Sequence, residues 1–556
     1  GSAAALAAAL DTISDVARDL HRLYAYASMR SDVDTRVPAE QGRRQEVELL
    51  WNDFSRSISW IRPAILALEP ETVAAFLEDE PRLAPHGHFL RDLVRTREHV
   101  LGPSEERLLA EAGLVTGTAG SLYGVFHNAE MPRPEVELST GETVRLTPAS
   151  FSRHRTTSVR TDREALFHGY FDAYRPFQET LGHNLYDALK AHMFRARTRR
   201  YRSCLHAALD SDAVPEAVYE NLITQVRAHR GTLHRYLRLR ARALGLERPE
   251  YHDLHCPVAP DLETRHSPSD AMHLVRRSMA PLGTDYAEAL DRCFGERWID
   301  WHPTPGKRSG AYSAGSAYDV HPYILMNFTH DYESVSTLTH EVGHALHSHF
   351  SNRTQPYPTA DYSIFVAEVA STFNEALLNH RMVEDARDDA TRLFLIGTYL
   401  DQMRATLFRQ TMFAEFEWAI HREAEAGKAL TGEQLSGIYL EILRSYHGHD
   451  DGVMEIPERY GVEWAAVPHF YYDFYVYQYS TGIVASTALA EAVLDGVDGA
   501  RERYLEFLSS GGSDYPLELL RRAGVDLERP EPYARTMAAI ERAMDRMEAL
   551  LDRAGR

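Results

Sequence analysis

The sequence predicts a predominantly α-helical protein with a small β-element, and three observations lead to this prediction. Apolar residues recur three and four positions apart over long stretches, for example in "VELLWNDFSRSISWIRPAILAL" and between Asp389 and Glu425. Stretches that alternate as a strand does are few and short. A group of four histidines and one glutamate, "TLTHEVGHALHSHF" (Thr337 to Phe350), falls within one of the helical patterns.

The composition is that of a globular protein and argues against two classes of partner, nucleic acids and membranes. Of the 556 residues, 44% are hydrophobic and 25% are charged, and no apolar run is long enough to cross a bilayer. The net charge is −21, from 60 basic and 81 acidic residues. Because an acidic chain repels phosphate backbones, we expect no nucleic-acid partner. Because no apolar run is long enough to cross a bilayer, we also expect no membrane association.

The number and spacing of the cysteines indicate the cellular compartment of the protein. Cys204, Cys256 and Cys293 are far apart, odd in number and form no C-x-x-C pair. This pattern argues against a disulfide framework and against a zinc site ligated by cysteine. A reducing, cytoplasmic location fits it best.

Two segments are predicted to be β-structure. "EVELSTGETVRLT" (Glu135 to Thr147) alternates and has a turn at Thr140-Gly141, so it predicts a hairpin. "PYILMNF" (Pro322 to Phe328) is a short apolar, β-branched run that predicts a strand. The glycine- and serine-rich stretch before this strand (residues 304–323) leads directly to the histidine segment, so we expect a loop beside a site.

His340, Glu341 and His344 form the pattern H-E-x-x-H. On a helix, positions i and i+4 share one face, so both imidazoles can reach one zinc ion while Glu341 projects toward the open side of the metal. Asp331 is a suitable N-cap for this helix. In a chain with 28 histidines the pattern arises by chance in roughly one case in ten, so a third ligand is needed to support it.

A catalytic zinc ion usually has three protein ligands and one open position. A third histidine ten residues after the first is excluded, because that position is Phe350. The alternative is an acid from a later helix, and "DYSIFVAEVASTFNEALLNH" (residues 361–380) is predicted to be a largely buried helix. Asp361, Glu368 and Glu375 are its candidate ligands, and Glu368 and Glu375 are seven residues apart, on one face.

Three segments together resemble a known family. "TLTHEVGHALHSHF", "FVAEVASTFNEALL" and "PHFYYDFYVYQYSTG" are similar to segments of the thimet-oligopeptidase family of zinc metallopeptidases, and the closest branch is the bacterial oligoendopeptidase F group. The likeness extends from about residue 120 to the C-terminus. It implies one zinc ion (Zn2+) held by His340, His344 and Glu368, with Glu341 as the general base.

The resemblance also implies the fold, and a domain boundary is expected after the hairpin and the helix that follows it. The expected fold is a predominantly α-helical zincin with a large helical catalytic domain, residues 184–556, that carries a small β-element near the active site. Residues 1–183 are expected to form an N-terminal helical domain that carries the β-hairpin.

Further site residues follow from the same resemblance. Glu375 is expected to hydrogen-bond with a ligand histidine. His347, one helical turn beyond His344, is expected either to have a structural role or to support the ligands from behind. The remaining candidates are His469, Tyr475 and Tyr479, for substrate binding and oxyanion stabilisation, and Tyr472, Gly310 and Tyr312, for substrate binding. Tyr472, Tyr475 and Tyr479 are spaced as one face of a helix.

The function predicted is that of a zinc-dependent endopeptidase that hydrolyses short peptides. One alternative is a zinc exopeptidase, either a carboxypeptidase or an aminopeptidase, for which the sequence shows no identifiable partner for a chain terminus. The other alternative is a non-catalytic, helical peptide-binding protein. Glu341 argues against it, because a purely structural metal site does not require a general base.

Overall fold

The computed structural model describes residues 2–259 and 265–555, and it is predominantly helical, as predicted. The α-helices are α1 (Ala3–Val33), α2 (Pro38–Ile58), α3 (Ile61–Leu66), α4 (Pro70–Asp79), α5 (Gly87–Arg95), α6 (Pro103–Thr116), α7 (Thr118–Val125), α8 (Pro148–His154), α9 (Arg160–Asp172), α10 (Gln178–Thr198), α11 (Cys204–Leu209), α12 (Glu216–Ala228), α13 (Arg230–Leu244), α14 (Pro268–Ser278), α15 (Gly283–Gly295), α16 (Tyr332–Thr354), α17 (Tyr357–Ala360), α18 (Ile364–Asp385), α19 (Asp389–Met403), α20 (Arg409–Glu425), α21 (Gly432–His447), α22 (Tyr477–Leu494), α23 (Ala500–Leu508), α24 (Pro516–Ala523) and α25 (Glu531–Arg553). In the described part of the chain, no helix combines the length and the apolar composition needed to cross a bilayer.

Both predicted β-segments are present as strands. Strands β1 (Glu135–Glu137) and β2 (Thr143–Arg145) form the antiparallel hairpin, with Gly141 in its turn at a φ of +82° that favours glycine. Strands β3 (Ile299–Asp300), β4 (Tyr312–Ala314) and β5 (Tyr323–Leu325) form a small sheet in the order β3-β5-β4. In this sheet β5 is parallel to β3 and antiparallel to β4.

The chain divides into two compact units, each built from three segments. Unit 1 comprises residues 1–98, 262–384 and 485–526, and unit 2 comprises residues 99–261, 385–484 and 527–556. The small sheet therefore belongs to unit 1 and the hairpin to unit 2. No border of either unit falls at residues 183–184, and the predicted division into residues 1–183 and 184–556 stays a prediction.

In unit 1, helices α16 and α18 pack against each other at unusually short range. A Cβ atom on Gly343 would lie 2.6 Å from Cα of Ser371 and 2.7 Å from the carbonyl oxygen of Ala370, so only glycine allows this approach. Asn374 of α18 also donates a hydrogen bond to the carbonyl of Thr339 on α16, at 3.4 Å. Glycine in a helix interior costs roughly 0.5–1 kcal/mol relative to alanine, and here it brings the faces of two helices together.

The start of α16 is set by its predicted cap. Oδ1 of Asp331 accepts a hydrogen bond from the backbone N–H of Ser334 at 2.8 Å, which satisfies one of the unpaired amides of the first turn. Most of the following helix is buried, including Val335, Leu338 and Val342. The amphipathic stripe of the sequence is thus the packed face of α16.

In unit 2, the tyrosine-rich segment is not a continuous helix, and the prediction that Tyr472 and Tyr475 lie on a helix with Tyr479 was wrong. A 3-10 turn spans Pro468–Tyr471, and α22 begins only at Tyr477. Between them, Asp473 and Phe474 have positive φ angles of 55° and 61°. Since left-handed residues cannot continue a right-handed helix, the chain turns here.

Candidate metal centre

Three side chains from α16 and α18 bring their donor atoms together in unit 1. Nε2 of His340 lies 3.2 Å from Nε2 of His344, and Oε2 of Glu368 lies 3.3 Å from the first nitrogen and 3.5 Å from the second. Two ligands at about 2.0–2.1 Å from a tetrahedral zinc ion are about 3.3 Å apart. The triangle of donor atoms therefore has the size that a zinc ion requires.

The sequence left three acids open as the third ligand, and the structure separates them. Glu368 faces both imidazoles, whereas Oδ1 of Asp361 accepts the backbone N–H of Tyr362 at 3.0 Å. Glu375 lies behind His340, with Oε1 3.2 Å from Nδ1 of that ring. The two acids that share one helical face thus contact the same histidine on its two different nitrogens.

A further hydrogen bond orients the third ligand. The hydroxyl of Ser371 donates to Oε2 of Glu368 at 2.9 Å. Gly343 of α16 packs against Ser371 of α18. Ser371 therefore lies where the two helices approach most closely, and it also orients the carboxylate of Glu368. Such outer contacts hold ligands in the orientation that metal binding needs.

The charges of these groups favour a cation at the centre of the triangle. Burial disfavours ionisation of Glu368, but hydrogen bonds from the two imidazoles outweigh it and hold the pKa of its carboxyl well below the usual range. Burial likewise opposes protonation of His340, but its bonds with Glu368 and Glu375 prevail and raise the pKa of the imidazole to about 10. The site attracts positive charge, whether a proton or a divalent ion carries it.

Glu341 is a buried carboxyl beside the donor triangle. Its residue is 7% exposed, and it lines the same cavity as the three ligand candidates. Burial raises the pKa of its carboxyl, while the neighbouring imidazoles partly oppose this shift. A carboxyl with a raised pKa accepts and returns a proton more readily near neutral pH than an exposed one does.

The cavity next to the triangle has a volume of about 610 Å³ and is lined by residues of unit 1 alone. Its walls come from the loop and strand before α16, from α1, from α16 to α18 and from the turn between α17 and α18. The lining residues are His21, Ala311, Tyr312, Ser313, Gly315, Ser316, Tyr318, His340, Glu341, His344, Ser348, Asn352, Tyr357, Pro358, Ala360, Asp361, Tyr362 and Glu368. A cavity of this volume is within the usual size range of ligand-binding pockets in proteins.

Of the two predicted substrate contacts in the loop before α16, one lines the cavity. Tyr312 does, and its hydroxyl donates to Oδ2 of Asp32 at 3.0 Å. Burial, together with the charge of Asp32, raises the pKa of this phenol. Gly310 is not among the lining residues of the described cavity; it has a φ of +80°, and its carbonyl accepts a hydrogen bond from Asn327 at 2.8 Å.

His347 is buried and supports the wall of the cavity rather than a ligand. Its ring stacks on Tyr362 at a centroid distance of 3.7 Å and an angle of 8°. The hydroxyl of Tyr362 in turn shares a hydrogen bond of 2.9 Å with Ser348. Burial lowers the pKa of His347 to about 3, so the stacked ring is neutral.

The predicted residues of the tyrosine-rich segment form a cluster within unit 2. The ring of His469 lies 5.5 Å from that of Tyr472, 6.3 Å from that of Tyr475 and 6.1 Å from that of Tyr479, measured between centroids. Tyr475 and Tyr479 are 5.5 Å apart and edge to face. The turn at residues 473–474 thus keeps the four rings together even though only one of these tyrosines is helical.

Sequence reasoning missed the contribution of helix α1 to this cavity. His21 of α1 lines it, and Nδ1 of that ring lies 2.8 Å from the hydroxyl of Tyr357. Trp51 of α2 is 4.7 Å from the same ring, between centroids. No motif marks these residues, because each contributes only a side chain on an otherwise ordinary amphipathic helix.

Comparisons with known proteins identify similar chains over nearly the whole length. The family model described as "Peptidase family M3" matches residues 154–539, and the model described as "Oligopeptidase F" matches residues 65–132. Oligopeptidase PepF of Bacillus subtilis is 38% identical, over 96% of this chain and 79% of its own length. Group B oligopeptidase PepB of Streptococcus agalactiae is also 38% identical, over 97% of this chain and 88% of its own length.

Solved structures agree with these sequence matches. A structure from Chlamydophila abortus has a TM-score of 0.94 at 34% identity, and covers 99% of this chain and 91% of its own. Oligoendopeptidase-F from Enterococcus faecium has a TM-score of 0.77 at 32% identity, and covers 99% of this chain and 94% of its own.

Proposed function

Because the chain belongs to peptidase family M3 and is therefore a peptide-hydrolysing metallopeptidase, we propose that it is a zinc-dependent endopeptidase that cleaves short peptides, with Glu341 as the general base. One observation carries the proposal: the donor atoms of His340, His344 and Glu368 form a triangle with sides of 3.2, 3.3 and 3.5 Å. Two imidazoles and one carboxylate are a donor set of catalytic zinc sites, which leave a fourth position open.

A zinc ion held by these residues would supply Lewis acidity toward the peptide carbonyl and make water a better nucleophile. The protein's own groups perform the proton transfers. The buried carboxylate of Glu341 takes a proton from the attacking water and passes it to the leaving amine. Glu375 holds Nδ1 of His340 and thereby presents Nε2 of the same ring to the metal position.

We also propose roles for the aromatic residues of unit 2. His469, Tyr475 and Tyr479 are candidates for stabilising the developing oxyanion, and Tyr472 is a candidate for binding substrate. Support comes from the resemblance of their segment to the family and from their clustering around one histidine ring. Tyr312, and Gly310 near it, are proposed to contact the peptide from the loop before α16.

Endopeptidase activity is preferred over exopeptidase activity for two reasons. The relatives at 35% identity or more include proteins named oligoendopeptidase F. Against the carboxypeptidase alternative alone, none of the described residues that line the cavity is an arginine or lysine, which would pair with a C-terminal carboxylate. We further propose a cytoplasmic location, since Cys204, Cys256 and Cys293 are all buried, free thiols.

The test is the cleavage of a library of short peptides blocked at both ends, with the products identified by mass. The wild type is expected to cut internal bonds, to lose activity with a chelator and to regain it with zinc. The Glu341→Gln variant is expected to lose about 10²–10⁴-fold in kcat while retaining its zinc, because the general base is removed but the ligands remain. Activity only on peptides with a free terminus would identify an exopeptidase. Full activity of Glu341→Gln would refute the assignment of the base.

A further inference from the structure

A second cluster of metal-ligand side chains lies in unit 2. Nδ1 of His192, on α10, is 3.1 Å from Nε2 of His421, on α20, and 3.2 Å from Oδ1 of Asp473, in the turn before α22. All three donor atoms lie within 4.8 Å of one another. The residues are 229 and 52 positions apart in sequence, so no motif announces the cluster.

The two imidazoles are buried, and one of them is held ready to act as a ligand. His192 is 4% exposed and His421 is 1% exposed. Nδ1 of His421 donates to the carbonyl of Glu417, one turn earlier on α20, at 2.8 Å. With the proton on Nδ1, Nε2 must carry the lone pair, and this nitrogen faces His192. A hydrogen bond from the second nitrogen to a backbone carbonyl is usual for metal-ligating histidines.

The third side chain of the cluster is a carboxylate, and one of its oxygens faces a guanidinium group. The carboxyl of Asp473 supplies the negative charge, and a guanidinium nitrogen of Arg195 lies 3.5 Å from its Oδ2. The other oxygen of this carboxylate, Oδ1, faces the two imidazoles.

A buried hydrogen-bond network is the alternative explanation, and it leaves one atom unsatisfied. Oδ1 of Asp473 is buried, yet among the described residues none donates a hydrogen bond to it. When Nδ1 of His192 carries a proton, this N–H donates to Nε2 of His421 and not to the carboxylate of Asp473. A buried acceptor without a partner destabilises the folded state, and a bound cation would remove this cost.

The backbone that presents Asp473 is strained. Asp473 and Phe474 both have left-handed φ angles, of 55° and 61°, which are unfavourable for residues other than glycine. The N–H of Phe474 donates to Oε1 of the buried Glu417 at 2.7 Å, which fixes the turn against α20. Conformations of this kind persist where the surroundings hold them, commonly at functional sites.

We propose that His192, His421 and Asp473 form a second metal site, for a divalent transition ion of the zinc class, separate from the ligand triangle of unit 1. Two nitrogens and one carboxylate oxygen suit such an ion, and separations of 3.1 and 3.2 Å are close to the roughly 3.3 Å between ligands of tetrahedral zinc. The ion would tie α10 and α20 to the turn that carries Tyr472 and Tyr475. Its role is to hold that aromatic segment in place.

The test counts zinc ions in the full-length protein after zinc loading and desalting, by elemental mass spectrometry. The wild type is expected to hold two ions per chain, and the His192→Asn variant one. The double variant His340→Ala, His344→Ala, which lacks the ligands of unit 1, is also expected to hold one. His447→Gln is the matched control and should hold two, because His447 is equally buried and its Nδ1 bonds the carbonyl of Leu443 one turn earlier, as His421 does with Glu417.

A second measurement covers the case in which His192→Asn does not fold. Zinc should raise the Tm of the double variant His340→Ala, His344→Ala in proportion to the logarithm of the zinc concentration, because the ion binds only the folded state. Cobalt(II) added to the same variant should give the visible absorption of a tetrahedral centre. A folded double variant with no bound ion and no zinc-dependent change in Tm would overturn the proposal. That outcome would leave the proposed peptidase function untouched, since the peptidase function depends on the triangle in unit 1.

Discussion

Oε1 of Glu375 lies 3.2 Å from Nδ1 of His340, while Nε2 of the same ring faces His344 and Glu368. The two nitrogens of one imidazole therefore have separate tasks. The pairing with a carboxylate places the ring proton on Nδ1 and leaves the lone pair of Nε2 for the metal position. The seven-residue spacing of Glu368 and Glu375 on α18 allows one helix to contact both sides of this ring.

The first prediction concerns Glu375. Replacing it in Glu375→Ala should lower zinc affinity or kcat/KM by about 10–100-fold, because His340 loses the group that orients it. Zinc affinity would be measured by competition with a chelator of known affinity. Glu333→Ala, an exposed acid in the first turn of α16, is the control and should leave both quantities unchanged. Equal zinc affinity and activity in both variants would show that the Glu375 contact is irrelevant.

The second prediction concerns the close approach of α16 and α18. A methyl group in Gly343→Ala would meet Cα of Ser371 at 2.6 Å, so the helices must separate and Glu368 must move away from the imidazoles. We expect a loss of about 1–3 kcal/mol in the free energy of unfolding, together with weaker zinc binding. Both are measurable, by denaturant unfolding and by metal competition.

Gly42→Ala is the matched control for Gly343→Ala. Gly42 also lies inside a helix, α2, but a Cβ atom there would meet no atom within 4 Å. Alanine at this position should increase the free energy of unfolding by roughly 0.5–1 kcal/mol and leave zinc affinity unchanged. If Gly343→Ala behaved as Gly42→Ala does, the packing of the two helices would not set the geometry of the ligands.

The third prediction concerns the tyrosine hydroxyls of unit 2. If Tyr475 or Tyr479 donates to the oxyanion, its replacement by phenylalanine should lower kcat by about 10²–10³-fold with little change in KM. Tyr471→Phe is the control in the same segment, because the hydroxyl of Tyr471 accepts a hydrogen bond from Asn184 at 3.1 Å. The Tyr471→Phe substitution should lower the free energy of unfolding by about 0.5–1.5 kcal/mol and leave kcat unchanged. An unchanged kcat in both the Tyr475→Phe and Tyr479→Phe variants would remove these hydroxyls from the mechanism.

The fourth prediction concerns the pH dependence of stability. Burial raises the pKa of Glu417 to about 8 from a usual value of 4.5, with the charge of Asp473 adding to the shift. Between these values the folded state retains a proton that the unfolded state has lost. The contribution of this group is therefore fully present below pH 4.5 and is lost as the pH rises through about 8.

Glu417→Gln tests this relation, because glutamine can still accept the N–H of Phe474 but does not titrate. The decline of Tm with increasing pH over this range should be shallower in Glu417→Gln than in the wild type, with both proteins freed of metal by a chelator. Glu433→Gln, which changes an exposed acid of α21, should retain the wild-type slope. Identical slopes in all three proteins would mean that Glu417 does not titrate in the folded state as its burial requires.

The sequence alone determined the parts of the metal centre that depend on local geometry. The positions of His340, Glu341 and His344 follow from the helical repeat, and Asp331 marks the start of that helix because an N-cap acts within one turn. The predominantly helical fold, the hairpin and strand β5 also follow from periodicity and turn residues, whereas β3 and β4 of the small sheet were not predicted. The resemblance in the segments of residues 337–350 and 365–378 led to Glu368 among three acids.

The tertiary structure alone decided which distant groups meet. It decided that Glu375 contacts His340 and not His344, it paired Tyr312 with Asp32, and it brought His192 to His421. It also interrupted the helix expected around Tyr475, at two left-handed residues, Asp473 and Phe474, of which phenylalanine rarely adopts this conformation. Spacing in a sequence fixes only neighbours within a few residues, because the hydrogen bonds of a helix are local. Contacts across hundreds of residues depend on how whole helices pack, and that depends on the complete set of side-chain shapes in the core.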